Sequence, residues 1–133
     1  MSESSMRQRL CLGLRPLDGQ PIENRLKGGT PDVNYIGGWI ECKWLRSWPI
    51  REGIIKIPHY TLGQRLWLRR RGQRGGNVHL ALQVNKQWLF FNWNYAYYYV
   101  GKTATRLDLE EYAVKHFPNG LKNGELVTWL RSL

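Results

Sequence analysis

The 133-residue chain is sized for one domain, and 42% hydrophobic residues with seven Trp and seven Tyr exclude a disordered polymer. Twenty Lys and Arg against ten Asp and Glu leave a net charge of +10, which suits a polyanionic partner better than a surface charged only for solubility. Cys11 and Cys42 are too few for a disulfide scaffold and have no zinc-type spacing. With no signal-like apolar run before Arg9 and no stretch near ~20 apolar residues, the expectation is a reduced, cytoplasmic setting without a membrane.

In chain order, Met6 to Leu14 reads as a short helix with Ser4 or Ser5 as N-cap. A turn-rich link through Pro16, Gly19 and Pro21 leads to a short strand, Ile22 to Leu26. Lys27-Gly28-Gly29-Thr30-Pro31 is a tight turn. Asp32 to Ile36 and Trp39 to Leu45 form a hairpin closing at Gly37-Gly38. Strand alternation puts Trp39, Glu41, Lys43 and Leu45 on one side, with Ile40, Cys42 and Trp44 on the other. After an irregular connection from Ser47 to Pro58, Thr61 caps a helix to Arg71, ended by Gly72. Val78 to Val84 and Gln87 to Trp93 make a second hairpin across Asn85-Lys86. Asp108 caps a helix from Leu109 to His116, and a last helix runs from Gly124 to Leu130. No repeats or low-complexity tracts interrupt what reads as one α/β domain over residues 1–133.

With only ten carboxylates in the chain, their placement is informative. The first hairpin brings Asp32 near Glu41, and alternation sets Lys43 on the Glu41 face. Two carboxylates and an ammonium beside a glycine turn suit a hard divalent cation and a polarised water. Each residue alone has a plainer reading: Glu41 and Lys43 as an exposed strand pair, Asp32 as a turn residue. Cys42 faces the opposite side, where burial as a small apolar group is expected. His59, His79 and His116 lack metal-ligand spacing and receive no chemical role.

Pro31-Asp32 followed by Glu41-Cys42-Lys43 resembles the Pro-Asp … (Asp/Glu)-x-Lys signature of the PD-(D/E)XK nucleases. The wider string Ile22-Glu23-Asn24 … Gly29-Thr30-Pro31-Asp32-Val33-Asn34-Tyr35 … Gly38-Trp39-Ile40-Glu41-Cys42-Lys43 is similar to the phage-type branch near VRR-NUC and Holliday-junction-resolvase-like enzymes. The likeness extends through Gln64-Arg65-Leu66-Trp67 to Trp88-Leu89-Phe90-Phe91, covering about Ile22 to Trp93. It implies a central mixed sheet flanked by helices and Mg²⁺-dependent cleavage of DNA, with Mn²⁺ able to substitute. Asp32 and Glu41 would be metal ligands with the Cys42 carbonyl, Lys43 the catalytic lysine, and Gln64 an aid to placing water or metal. A further acid is implied early in the chain, filled by Glu23 or by Glu3. The branch implies Holliday junctions or flaps as substrates and a homodimer making paired cuts.

The substrate would lie along Arg65, Arg69, Arg70, Arg71 and Arg74, a run of like charge that a polyphosphate relieves. Lys43, Arg46, Arg51 and Lys56 extend that surface, while Leu62, Leu66 and Trp67 supply the helix's core stripe. Trp44, Trp48 and the Tyr95 to Tyr99 stretch are either core or dimer interface, or a platform for unpaired bases. Two other functions compete: a non-catalytic DNA- or RNA-binding module of the same fold, and a restriction-type nuclease, for which so short a chain leaves little room.

Overall fold

The computed structural model describes residues 2–23, 28–122 and 124–133. A six-stranded mixed sheet runs β1 (Gln20–Pro21), β2 (Val33–Tyr35), β3 (Gly38–Leu45), β4 (Val78–Val84), β5 (Gln87–Asn92) and β6 (Lys115–Phe117), in spatial order of sequence. Every neighbouring pair is antiparallel except β3 and β4, which run parallel. A parallel pair needs a crossover, and α2 (Leu62–Gln73) supplies it. α1 (Glu3–Gly13) precedes the sheet, α3 (Trp93–Tyr98) and α4 (Arg106–Tyr112) lie between β5 and β6, and α5 (Glu125–Arg131) closes the chain.

The sheet has an apolar layer on each side, as an α/β architecture requires. On one side Met6, Leu10 and Leu14 pack with Leu126, Val127 and Leu130 against Ile40, Cys42, Ala81 and Phe90. On the other, Trp67, Leu68, Ala96 and Leu109 cover Leu80, Leu82, Leu89 and Phe91. β4 is buried along its whole length because both faces are covered, so it reads as a near-continuous apolar run.

Several expected boundaries move for local reasons. α1 starts earlier than expected because Ser2, not Ser4 or Ser5, accepts the Ser5 N–H as cap. A short strand forms at Gln20–Pro21, and Ile22 and Glu23 after it are not strand. Residues 24–27, the rest of the expected Ile22 to Leu26 strand and Lys27 of the expected turn, lie outside the described residues. Thr61 caps α2 as expected, but the helix continues through Gly72, against which the Trp93 ring packs so closely that a Cβ would lie 2.3 Å from it. Asp108 is not the cap of α4: Thr105 is, with Asp108 three positions on completing a capping box. That helix stops at Tyr112 because Ala113 turns extended, and Val114 then donates to the Phe90 carbonyl. The residues expected as its last turn become β6. Asn92 likewise ends β5 by capping α3, which the aromatic run had disguised as strand and turn.

The first hairpin carries the shift that matters. Tyr35 pairs with Gly38, so the turn is Ile36-Gly37, with Gly37 at φ 109°. Every β2–β3 partner therefore moves by two from the expected register, which leaves each side chain on its expected face. Continuing the ladder one step past Val33 and Ile40 sets Asp32 opposite Glu41.

Candidate active site

Asp32 stands between a glycine turn and β2. Gly29 there has φ 91°, and a Cβ would lie 2.4 Å from the Gly63 carbonyl in α2's first turn, so only glycine lets this loop lie against the helix. The Asp32 Oδ2 accepts the Cys42 backbone N–H at 2.9 Å, fixing the carboxylate across to β3. Its Oδ1 is 3.8 Å from the Arg7 guanidinium of α1.

Glu41 and Lys43 share the side of β3 that faces the α2 layer, each only 1% exposed. Neither Glu41 oxygen has a hydrogen-bond partner. Burial first, then the neighbouring Asp32 carboxylate, push its pKa well above the ordinary carboxylate range. Two ionised carboxylates are acceptors only and cannot satisfy each other, so this pair needs a shared proton or a cation. Lys43 is better provided for. Its Nζ donates to the His59 carbonyl at 3.0 Å and lies 3.7 Å from Glu3 Oε1. His59 presents that carbonyl from a left-handed backbone, φ 61°.

Of the two early acids, Glu3 is the one that joins this group: its charge acts on Lys43, Asp32 and Glu41. Desolvation is the leading cause of its raised pKa, only partly offset by Lys43. Glu23 is exposed on a groove lined by Arg7, Cys11 and Arg15, the same Arg7 that reaches Asp32. Gln64 closes α2's capping box, its Oε1 accepting the Thr61 N–H at 2.9 Å. The Cys42 thiol is fully buried and pushed well up by desolvation, as expected of a core cysteine.

Of the expected arginine surface, Arg65 is buried while Arg70, Arg71 and Arg74 are exposed. Arg65, expected to face a polyanion, is 7% exposed. Its guanidinium stacks on the Tyr60 ring at 3.8 Å and donates to the carbonyls of Ala96 and Tyr97 at 3.1 and 3.2 Å, so it is a structural bolt between α2 and α3. Arg69 lies over Tyr97, Arg71 over Trp67 and Trp39, and Arg74 donates to the Arg70 carbonyl. Arg70 is exposed, while Arg46 lies beyond β3 beside the β4–β5 turn. Trp67 is in the core stripe as expected, joined by Leu68, whereas Leu62 and Leu66 are exposed.

The site's donor set has the composition a hard divalent cation takes, with two carboxylates facing one spot and one of them buried without partners. Among the described residues, no three His, Cys, Asp or Glu side chains are grouped as a complete ligand set. Mg²⁺ does not require one, since it keeps waters and takes substrate oxygens. Among the described residues no helix is long and apolar enough to cross a membrane. No protein-family model matches the chain, and no curated protein matches it closely.

Proposed function

We propose that the chain is a metal-dependent endodeoxyribonuclease with its active site at Asp32, Glu41 and Lys43, of the PD-(D/E)XK type that its motif resembles. The observation that carries this reading is Glu41: a carboxylate 1% exposed, both oxygens unpartnered, with a second carboxylate opposite and an ammonium two residues along the same face. A buried acid without partners costs the fold stability unless something binds it, and a structural strand pair would sit exposed or be satisfied. Asp32 and Glu41 would hold Mg²⁺ (or Mn²⁺), with the Cys42 carbonyl as a third oxygen. When bound, the cation supplies a hydroxide-generating Lewis acid and stabilises charge on the phosphoryl group.

The chain's own residues do the rest. Asp32 is held in place by the Cys42 N–H, so its free lone pairs point away from β3's backbone. Lys43, steered by the His59 carbonyl and Glu3, offers an ammonium to the attacking water or a phosphate oxygen. Glu3 helps direct that ammonium, the role the resemblance leaves to an early acid. The net charge of +10 draws a polyanion to the surface. Branched DNA, a junction or flap, is the substrate class the resemblance favours, with a homodimer making paired cuts.

The test is cleavage of labelled four-way junction, flap, single-stranded and linear duplex DNA of equal length, with Mg²⁺, Mn²⁺ or EDTA. The reading expects metal-dependent cutting, fastest on branched substrates. Equal rates on junction and duplex would remove the branch preference, and binding without cutting on all four would favour a binding module.

A further inference from the structure

The expected arginine surface fails at Arg65, yet that residue leads to a different one. From the Lys43 ammonium, the His59 carbonyl and then the Tyr60 ring lead to α3, where Tyr60 Oη donates to the Ala96 carbonyl at 2.8 Å. Arg65 fastens the same turn of α3 through Ala96 and Tyr97. The helix so anchored presents a strip of tyrosines. Tyr97 has two cations over its ring, the Arg69 guanidinium 5.1 Å and the Lys102 ammonium 5.3 Å from its centre. Arg69 also donates to its hydroxyl at 3.1 Å. Tyr98 meets Tyr97 edge-on at 4.8 Å and leads to Tyr99; these two are 51% and 49% exposed.

Tyrosine rings half in water, with fixed cations beside them, are what an unpaired nucleobase needs: an open π-face for the base and positive charge for its phosphate. We propose that the Tyr98 and Tyr99 faces stack on unpaired bases of a DNA strand while Arg69 and Lys102 take the adjoining phosphates. This rests on the nuclease reading only in naming DNA, and it sets the unpaired segment beside the site of cutting through the Tyr60 connection. The strip has a direction. At its other end Tyr112, 54% exposed, stacks on Tyr95, which feels the negative charges of Asp108 and Glu111 from α4. Phosphates are repelled there, so the strand's phosphates run over the Tyr97–Tyr98 end, with Tyr99, 5.0 Å from Tyr95, at the boundary. Charge also decides against a second copy of the chain, because a two-fold contact here would bring Arg69 and Lys102 of each copy toward their equivalents.

The experiment measures anisotropy of a labelled single-stranded oligodeoxynucleotide and of the duplex of the same sequence, in EDTA so that nothing is cut. The wild type is compared with the Tyr98→Ala, Tyr99→Ala double variant. Stacking energies predict a loss of about tenfold or more on the single strand and under about twofold on the duplex. Tyr98→Phe with Tyr99→Phe keeps the rings and should bind like wild type, which separates stacking from misfolding. Equal losses on both probes, or none on either, overturn the proposal. So does a wild-type dimer that the alanine variant converts to monomer, since a second copy then covers the strip. Because no cleavage is read, a chain that binds this way and never cuts would sink the nuclease reading alone.

Discussion

Asp32 accepts the backbone N–H of Cys42 at 2.9 Å, so a side chain from the end of one strand is held by the middle of the next. This contact turns the Pro-Asp and Glu-x-Lys segments into one site. It orients Asp32 and leaves Glu41, the next residue back along β3 and only 1% exposed, facing a second carboxylate.

Such a site should weaken the metal-free fold. Burial and Asp32 raise the Glu41 pKa in the folded chain, so the folded state holds that proton more tightly than the unfolded state does. The stability linked to this group is therefore complete below the ordinary carboxylate value and is lost as pH rises toward the folded one. In EDTA, Glu41→Gln should stabilise the protein by about 1–2 kcal/mol at neutral pH, because its amide can donate to Asp32. Chemical denaturation across pH reads this. A variant less stable than wild type above pH 7 would mean that Glu41 is satisfied without a cation.

The two early acids are placed differently. Glu3 reaches Lys43, whereas Glu23 sits on the groove lined by Arg7 and Arg15. Glu3→Gln should lower the cleavage rate by roughly 10–100-fold, the usual effect of losing a group that orients a site residue. Glu23→Gln should leave the rate within about twofold. The reverse order in a side-by-side rate measurement would return the role to Glu23.

Arg65 and Arg70 lie on the same helix but should fail differently. Arg65→Ala leaves the Ala96 and Tyr97 carbonyls without their guanidinium donor and empties the space over Tyr60, at a cost of about 2–4 kcal/mol. Lysine should not rescue it, lacking the planar fork that bridges two carbonyls and stacks. Arg70→Ala, at an exposed position, should change stability by less than about 0.5 kcal/mol while weakening DNA binding and shallowing its salt dependence. Thermal melts and salt-dependent binding on both variants check this pair.

His79 supplies a test of the opposite face. It is buried edge-on against Trp129, and desolvation pushes its pKa down to about 4. A histidine depressed by folding contributes stability that is present above its unfolded value of 6.5 and lost as pH falls toward about 4. Its contribution is about 3 kcal/mol over that window. His79→Phe should flatten the acid limb of the stability curve there; an unchanged limb would show that other groups drive acid unfolding.

The sheet's faces were legible because strand alternation survives a register error: the β2–β3 turn lies one residue earlier than the Gly37-Gly38 signal implies, yet Glu41 and Lys43 keep their side. The turn of the second hairpin was legible to the residue, with Asn85 at φ 53°, though its second strand ends at Asn92 rather than Trp93. What escaped reading depends on long-range partners. Nothing near Arg65 in sequence announces Tyr60, Ala96 and Tyr97 as its surroundings. β6 exists because β5 offers an edge to residues 115–117, and a helix propensity carried past Tyr112 hides it. Asn92 did carry a usable cap signal for α3, masked by the aromatic residues around it. Glu3 was legible only as one of two acids, because choosing it requires knowing that α1 delivers its first turn to Lys43.

The most direct test of the central claim compares the wild type with Glu41→Gln on one labelled four-way junction, measuring binding in EDTA and cutting after Mg²⁺ is added. The account predicts metal-dependent cutting by the wild type, its loss by about a thousandfold or more in the variant, and junction binding as tight or tighter once a like charge is removed. Cutting at the wild-type rate by Glu41→Gln would contradict it.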